Sequence, residues 1–185
     1  MNVQEATTRR LPDLKERHLP ENCRETINTI LKETYGYEQF RNLEIYDDLS
    51  KGKEKLCISQ GQLIENVILE AEKAWKGETQ VDNILLTAPT GSGKSLLFQL
   101  PAIYLGKEYN LLTIVVSPLK ALIVDQVESL QELGYTRVAY ASSDLSPEQK
   151  MEVYRQVREG EIDLFYLSPE LLLSSDIKHF VGERR

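Results

Sequence analysis

The chain has 185 residues, of which 41% are hydrophobic and 28% are charged, a balance typical of a soluble globular protein with one domain and an appendage. Its formal charge of −7 excludes a strongly basic surface that would bind nucleic acid by charge alone. The two cysteines lack CxxC spacing, which argues against a disulfide framework or zinc site, and no apolar run reaches the ~18 residues of a membrane span, so we expect a cytoplasmic protein.

Residues 1–57 differ in character from the rest of the chain. They are rich in charged residues, and no long hydrophobic periodicity runs through them. One helix is predicted, around Pro20 to Thr34, from the spacing of Ile27, Ile30 and Leu31. We therefore interpret residues 1–57 as a mainly helical accessory segment of uncertain fold and residues 58–185 as a separate domain.

From residue 58 onward, short apolar runs alternate with helical stripes. The runs predict buried strands at residues 84–87, 111–116, 137–140 and 162–167. The first helix is predicted from an apolar stripe at Ile64, Val67, Ile68, Ala71 and Trp75. A second helix is expected from Lys94 to about Leu105.

Two further helices complete this alternation. One carries a stripe of Leu119, Leu122, Ile123, Val127, Leu130 and Leu133 and ends at Gly134. The other begins at Ser146, with Pro147 at its first position and Gln149 closing a capping box, and runs to about Arg158. Strands that alternate with helices indicate an α/β fold, a parallel sheet with flanking helices and right-handed crossovers.

The loop of residues 88–95, Ala-Pro-Thr-Gly-Ser-Gly-Lys-Ser, joins a predicted strand to a predicted helix. It matches the phosphate-binding pattern GxxxxGK[ST] except that Ala88 replaces the first glycine. Its glycines let backbone N–H groups approach phosphates closely, and the helix N-terminus behind them favours an anion. Lys94 would neutralise the β and γ phosphates, and Ser95 would bind Mg²⁺. The predicted nucleotide-binding residues of the loop are Thr90, Gly91, Ser92, Gly93, Lys94 and Ser95.

Three segments, in family order, resemble the first motor domain of superfamily-two helicases, most closely the RecQ family. They read APTGSGKSLLFQLPA, VVSPLKALIVDQV and LFYLSPELL, and the resemblance covers about residues 58–175. It implies a RecA-like P-loop domain, present here in part, that uses ATP and Mg²⁺ and acts on DNA. Lys94 and Ser95 would then be the catalytic candidates. Leu171 departs from the family, which usually has arginine after Pro-Glu.

The resemblance also implies single-stranded DNA as a partner, although the residues do not exclude RNA. The segment 115–127 looks like motif Ia, and the predicted nucleic-acid-binding residues are Ser117, Pro118, Leu119, Lys120 and Ser168. Hydroxyl and ammonium groups at strand ends suit phosphates without base preference. The alternative is that each serine is a helix N-cap or turn residue, and for Ser142 and Ser143 the two interpretations weigh equally.

RecQ-like helicases carry an F-R-x-x-Q motif upstream of the loop, in which the glutamine reads the adenine edge. Gln62 stands at the matching place relative to its predicted helix. Ile58-Ser59 stands where Phe-Arg is expected, while Phe40-Arg41 lies well upstream. Gln62 is therefore either the adenine reader or a solvent-facing residue of the first helical turn.

ATP hydrolysis in these motors needs an acidic pair, which the family writes as DExH and which these 185 residues lack. Asp125 lies off the apolar stripe of its helix, and Ser-Pro separates Glu170 from its strand, so neither suits Mg²⁺. We expect the N-terminal part of an ATP-dependent DNA helicase, either a truncated piece or one subunit of a split motor. Without the rest of the motor or a partner subunit, the chain should turn ATP over poorly or not at all.

Two other functions remain open from the sequence. A non-hydrolysing ATP-binding module that regulates a partner protein would also keep the loop and lack the acidic pair. A small P-loop phosphotransferase is disfavoured by Ala88 and by the two Ser-Pro pairs.

Overall fold

The computed structural model describes residues 17–46, 55–86 and 91–173. The chain divides into two compact units, Met1–Lys32 with Tyr37–Pro101, and Glu33–Gly36 with Ala102–Arg185. No helix in the described ranges has the length and hydropathy needed to cross a membrane.

The first unit combines helices with a small antiparallel sheet. Helix α1 (Glu21–Tyr35) confirms the predicted N-terminal helix and buries Ile27, Ile30 and Leu31. Strands β1 (Asn42–Tyr46) and β2 (Lys55–Ser59) pair as a hairpin, with Asn42 opposite Ser59. The sequence did not predict this hairpin.

Helix α2 (Gln60–Trp75) follows β2 directly, because the Ser59 side chain accepts a hydrogen bond from Gly61 N and caps the helix. Ile64 and Ile68 of the predicted stripe are fully buried, but Trp75 is 58% exposed. The strand predicted at residues 84–87 is wrong for residues 84–86, which are described and lie outside any strand, with Leu85 91% exposed. An apolar run becomes a strand only where another strand pairs with its backbone.

Helix α3 (Leu96–Tyr109) begins two residues later than predicted. The second unit then contributes β3 (Thr113–Val116), α4 (Lys120–Glu132), β4 (Val138–Ala141), α5 (Pro147–Arg158), β5 (Leu164–Leu167) and α6 (Pro169–Leu172). The three strands are parallel in the order β3-β5-β4. This sheet with flanking helices confirms the predicted fold class of an incomplete RecA-like domain.

Burial in the second unit follows the predicted patterns with one correction. Helix α5 packs Tyr154 and Val157 against the sheet residues Ala139 and Phe165. On α4, Ile123, Val127 and Leu130 are buried, whereas three members of the predicted stripe are exposed, namely Leu119, Leu122 and Leu133. Leu119 and Leu133 are the N-cap and C-cap residues of α4, and a cap position does not share the buried face of the helix body.

Candidate nucleotide and nucleic-acid sites

The phosphate-binding loop leads directly into α3. Gly91 and Gly93 have φ angles of +80° and +78°, which favour glycine. The hydrogen-bond ladder of α3 starts at once, since Leu96 N donates to Gly93 O at 3.2 Å and Gln99 N to Ser95 O at 2.9 Å. The N-terminal end of a helix favours an anion, because its first backbone N–H groups point away from the helix. The loop backbone therefore fits a phosphate group.

The predicted loop residues divide by what the structure describes. Gly91, Ser92, Gly93, Lys94 and Ser95 lie together in the turn before α3. Thr90, together with Ala88, lies outside the described residues. The Lys94 side chain is exposed and Ser95 is half-buried, so both stand where a nucleotide could reach them.

Gln60, the first residue of α2, holds this loop from behind. Its side chain is buried, and its Nε2 donates to Ser92 O and to Gly93 O, each at 3.3 Å. Its Oε1 accepts from Arg41 N at 3.1 Å. Sequence reasoning missed Gln60, because only the folded chain shows that it lies beside the loop.

The hairpin β1–β2 brings Phe40 and Arg41, which precede β1, next to the start of α2, which follows β2. Gln60 N donates to Arg41 O at 2.9 Å. A Cβ on Gly61 would lie 2.7 Å from the Phe40 ring, so this ring packs directly on the helix start. The Phe40-Arg41 pair, which is distant in sequence, thus contacts Gln60 and Gly61 at the start of α2.

Gln62 lies in the first turn of α2. It is half-buried, and its Nε2 donates to Arg17 O at 3.3 Å. Elsewhere in the first unit, the Arg41 guanidinium lies 5.9 Å from the centre of the Tyr37 ring, which is 48% exposed. Such a pair offers a flat surface on which a base could stack. The assignment of Gln62 as the adenine reader stays a prediction.

The second candidate site is the carboxyl edge of the parallel sheet. Ser117, Ser142 and Ser168 each follow a strand directly, and the in-register pairing of Val116 and Ala141 with Leu167 puts the three serines at one edge. Ser117 N donates to Leu167 O at 3.1 Å. Ligands of open α/β sheets bind at this edge.

Lys120, the first residue of α4, provides a positive charge near this edge. Its Nζ lies 2.5 Å from Ser143 Oγ and 2.8 Å from Asp144 Oδ1. The Lys120 ammonium lowers the pKa of Asp144 chiefly by this hydrogen bond. The pKa of Glu170 is lowered as well, first by the Ser168 hydroxyl and then by the charge of Lys120.

The other predicted nucleic-acid residues have different surroundings. Pro118 and Leu119 are exposed, and Leu119 N donates to Ser117 Oγ at 3.4 Å. Ser168 is buried and is the N-cap residue of α6. Asp125 is exposed, as predicted. Sequence reasoning missed Asp144, although the run Ser-Ser-Asp after a strand was visible.

Comparison with known proteins shows which family this chain resembles. The family model for DEAD/DEAH box helicases matches residues 60–182. The chain is 34% identical over 154 residues to the ATP-dependent DNA helicase RecQ of Synechocystis sp., covering 83% of this chain and 26% of that protein.

Two further relatives show the same partial coverage. The RecQ helicase of Bacillus subtilis is 32% identical over 146 residues, covering 79% of this chain and 20% of that protein. The ATP-dependent DNA helicase Q-like 5 of Arabidopsis thaliana is 33% identical over 150 residues, covering 81% of this chain and 13% of its own length. The chain thus spans about a quarter or less of the length of these relatives.

Proposed function

We propose a function from the premise that this chain belongs to the DEAD/DEAH box helicase family. It is the ATP-binding part of the first motor domain of a RecQ-like, ATP-dependent DNA helicase. The observation that carries this proposal is the loop of residues 91–95, whose positive-φ glycines and following helix N-terminus form a phosphate site in a family of nucleotide-driven motors.

The residues divide the work of holding ATP·Mg²⁺. Backbone N–H groups of residues 91–95 bind the phosphates, and the Lys94 ammonium neutralises their charge. The Ser95 hydroxyl is the protein ligand that this chain offers to Mg²⁺, which supplies charge neutralisation for phosphoryl transfer when it is bound. Gln62 binds the adenine, as in the F-R-x-x-Q motif that this region resembles.

Nucleic acid binds at the carboxyl edge of the parallel sheet. Ser117 and Lys120 contact the backbone of single-stranded DNA without base preference, and the buried Ser168 supports this edge as the N-cap residue of α6. Because the net charge of the chain is −7, this contact depends on a few placed groups. We therefore expect weak binding with a shallow salt dependence, because few phosphate charges are neutralised.

The first experiment is a titration of ATP·Mg²⁺ into the 185-residue chain and its Lys94→Ala variant. We expect binding that the variant loses by about tenfold or more, because a charge-assisted contact to phosphate contributes about 1.5–3 kcal/mol. Lys107→Ala is the matched control, since Lys107 is exposed near the other end of the same helix. Equal affinity in all three proteins would contradict the proposal.

Phosphate release with and without single-stranded DNA completes the test. Hydrolysis needs an acidic pair, and no Asp-Glu-x-His sequence occurs in the 185 residues. We therefore expect binding without release. DNA-stimulated release from this polypeptide would show that another carboxylate in it acts on the attacking water.

A further inference from the structure

Gln60 has a buried side-chain amide that hydrogen-bonds both to the phosphate-binding loop and to Arg41. It is 2% exposed. Its Oε1 accepts from Arg41 N, and its Nε2 donates to the carbonyls of Ser92 and Gly93. Buried amides are costly unless their groups are paired. These three contacts make Gln60 a link between the loop and the turn at Arg41.

The two carbonyl contacts determine which way the loop N–H groups point. In a trans peptide the C=O of one residue and the N–H of the next point in opposite directions. Because Ser92 O and Gly93 O face Gln60, the N–H groups of Gly93 and Lys94 face the opposite side of the loop. Successive N–H groups that point into one concavity form an anion-binding site.

Gly93 shows how closely the loop backbone approaches Gln60. A Cβ at residue 93 would lie 2.6 Å from Gln60 Nε2, so any side chain there would displace the Gln60 amide. Glycine therefore suits residue 93 for two reasons: its φ angle is +78°, and the Gln60 side-chain amide lies close to its backbone.

We propose that Gln60 is a positioning residue for the phosphate-binding loop, which it holds in the conformation that directs the Gly93 and Lys94 N–H groups to a triphosphate. It joins this loop to Arg41, so the base end and the phosphate end of the site are set by one side chain. The ligand named here rests on the proposed function, while the loop contact itself does not.

The first test needs no nucleotide. In Gln60→Leu the donor is lost, and we expect the amides of Leu96 and Leu97 at the start of α3 to exchange about tenfold faster. Asn66→Leu is the matched control, because it also removes a buried amide from α2, one whose Nδ2 donates to Gln62 O. In Asn66→Leu, the exchange rates of these two amides should change only as much as the variant's lower global stability requires.

The second test uses Gln60→Glu and a pH series. An ionised carboxylate cannot donate and repels the two carbonyls, so ATP·Mg²⁺ affinity should fall about tenfold at pH 8. Burial raises the pKa of the new carboxyl above its ordinary value of about 4.3. As pH falls through that raised pKa, the protonated carboxyl donates again, and affinity relative to wild type should recover. Gln60→Leu should show no such recovery.

The outcomes separate the two proposals. Local loss of protection with pH-dependent recovery of affinity in Gln60→Glu supports the positioning role. Unchanged loop exchange, or losses of affinity equal to those of Asn66→Leu at every pH, would overturn it. If wild type binds no ATP·Mg²⁺ while the loop amides still respond to Gln60→Leu, the proposed function fails and the positioning role stands.

Discussion

Glu70 is a buried carboxylate that joins three parts of the first unit. Its Oε1 accepts from Arg17 at 2.6 Å and from Lys73 at 3.0 Å, and its Oε2 accepts from Asp82 N at 2.9 Å. Burial alone would raise the pKa of this carboxyl, but the three donors together lower it to about 2. The charged form therefore stabilises the fold.

This shift predicts a pH dependence of stability. Because the folded pKa of Glu70 is about 2 and its ordinary value is 4.5, the stabilisation is complete above pH 4.5. It is lost as pH falls from 4.5 towards 2. Glu70→Gln should lower the free energy of unfolding by about 1–3 kcal/mol at pH 7. Urea unfolding at pH 7 and across pH 5 to 2.5 measures both effects.

The variant should also flatten the acid part of this profile. Glu25→Gln is the control, because Glu25 is exposed on α1, and it should leave the profile unchanged. Parallel pH profiles for wild type and Glu70→Gln would show that the carboxylate does not carry the acid sensitivity.

At the scale of elements, helix α5 shows how much local sequence can specify. The Ser146 side chain accepts from Gln149 N at 3.2 Å, and Gln149 Oε1 accepts from Ser146 N at 2.9 Å. The predicted capping box is thus confirmed, with Pro147 at the first helical position. A cap is decided by residues three apart, so the sequence contains the whole interaction.

Removing this cap should have a definite cost. Ser146→Ala leaves an N-terminal N–H of α5 without its acceptor, and we expect a loss of about 1 kcal/mol in unfolding free energy. Ser129→Ala, near the exposed end of α4, should change stability by less than about 0.5 kcal/mol. Chemical denaturation measures the free energy of unfolding of both variants. Equal losses in the two would show that the capping box does not stabilise the protein.

The strand ends supply a second prediction at this scale. Lys120 shares its ammonium with Asp144, so a nucleic-acid phosphate would compete with that carboxylate. Asp144→Asn should raise affinity for single-stranded DNA only slightly, because solvent screens an exposed ion pair. Lys120→Ala should weaken binding and reduce the salt slope by about 0.7.

Fluorescence anisotropy of a labelled oligonucleotide at several salt concentrations measures both changes. Lys150→Ala, a half-exposed lysine of α5, serves as the control for loss of positive charge alone. A salt slope that Lys120→Ala leaves unaltered would exclude Lys120 from the interface.

At the scale of the whole molecule, the parallel unit contains a polar cluster around one buried carboxylate, Asp163, at the amino edge of its sheet. Asp163 is 2% exposed and accepts from Arg137 Nε at 2.7 Å and from Tyr135 Oη at 2.8 Å. Burial and the charge of Asp163 raise the pKa of Tyr135. A side chain on Gly106 would overlap the Asp163 carboxylate, so α3 approaches the sheet closely here.

Breaking this cluster should destabilise the unit. Arg137→Met keeps the apolar stem but removes the guanidinium from the buried Asp163 carboxylate, and because Arg137 is itself partly exposed, we expect a loss of about 1–3 kcal/mol. Adding Asp163→Asn should restore part of that loss, because the uncompensated charge is gone. Thermal and urea unfolding of the single and double variants measure the coupling. Strict additivity would show that the two side chains do not interact.

Patterns whose cause is local were predicted correctly. The helix at residues 21–35, the cap at Ser146 and the strands of the parallel sheet follow from periodicity and turn chemistry. The loop of residues 91–95 was found because its glycines and lysine are adjacent in sequence. The boundary between residues 57 and 58 and the roles of the site residues stay predictions.

Sequence by itself therefore determined the fold class and located the candidate phosphate-binding loop, because both reside in short-range patterns. Only the tertiary structure showed that a hairpin joins Arg41 to the start of α2, and that Gln60 lies behind Gly93. It also showed that Ile84 and Leu85 are exposed and that Asp144 lies beside Lys120. These features depend on pairing between residues distant in the chain, which no local pattern encodes.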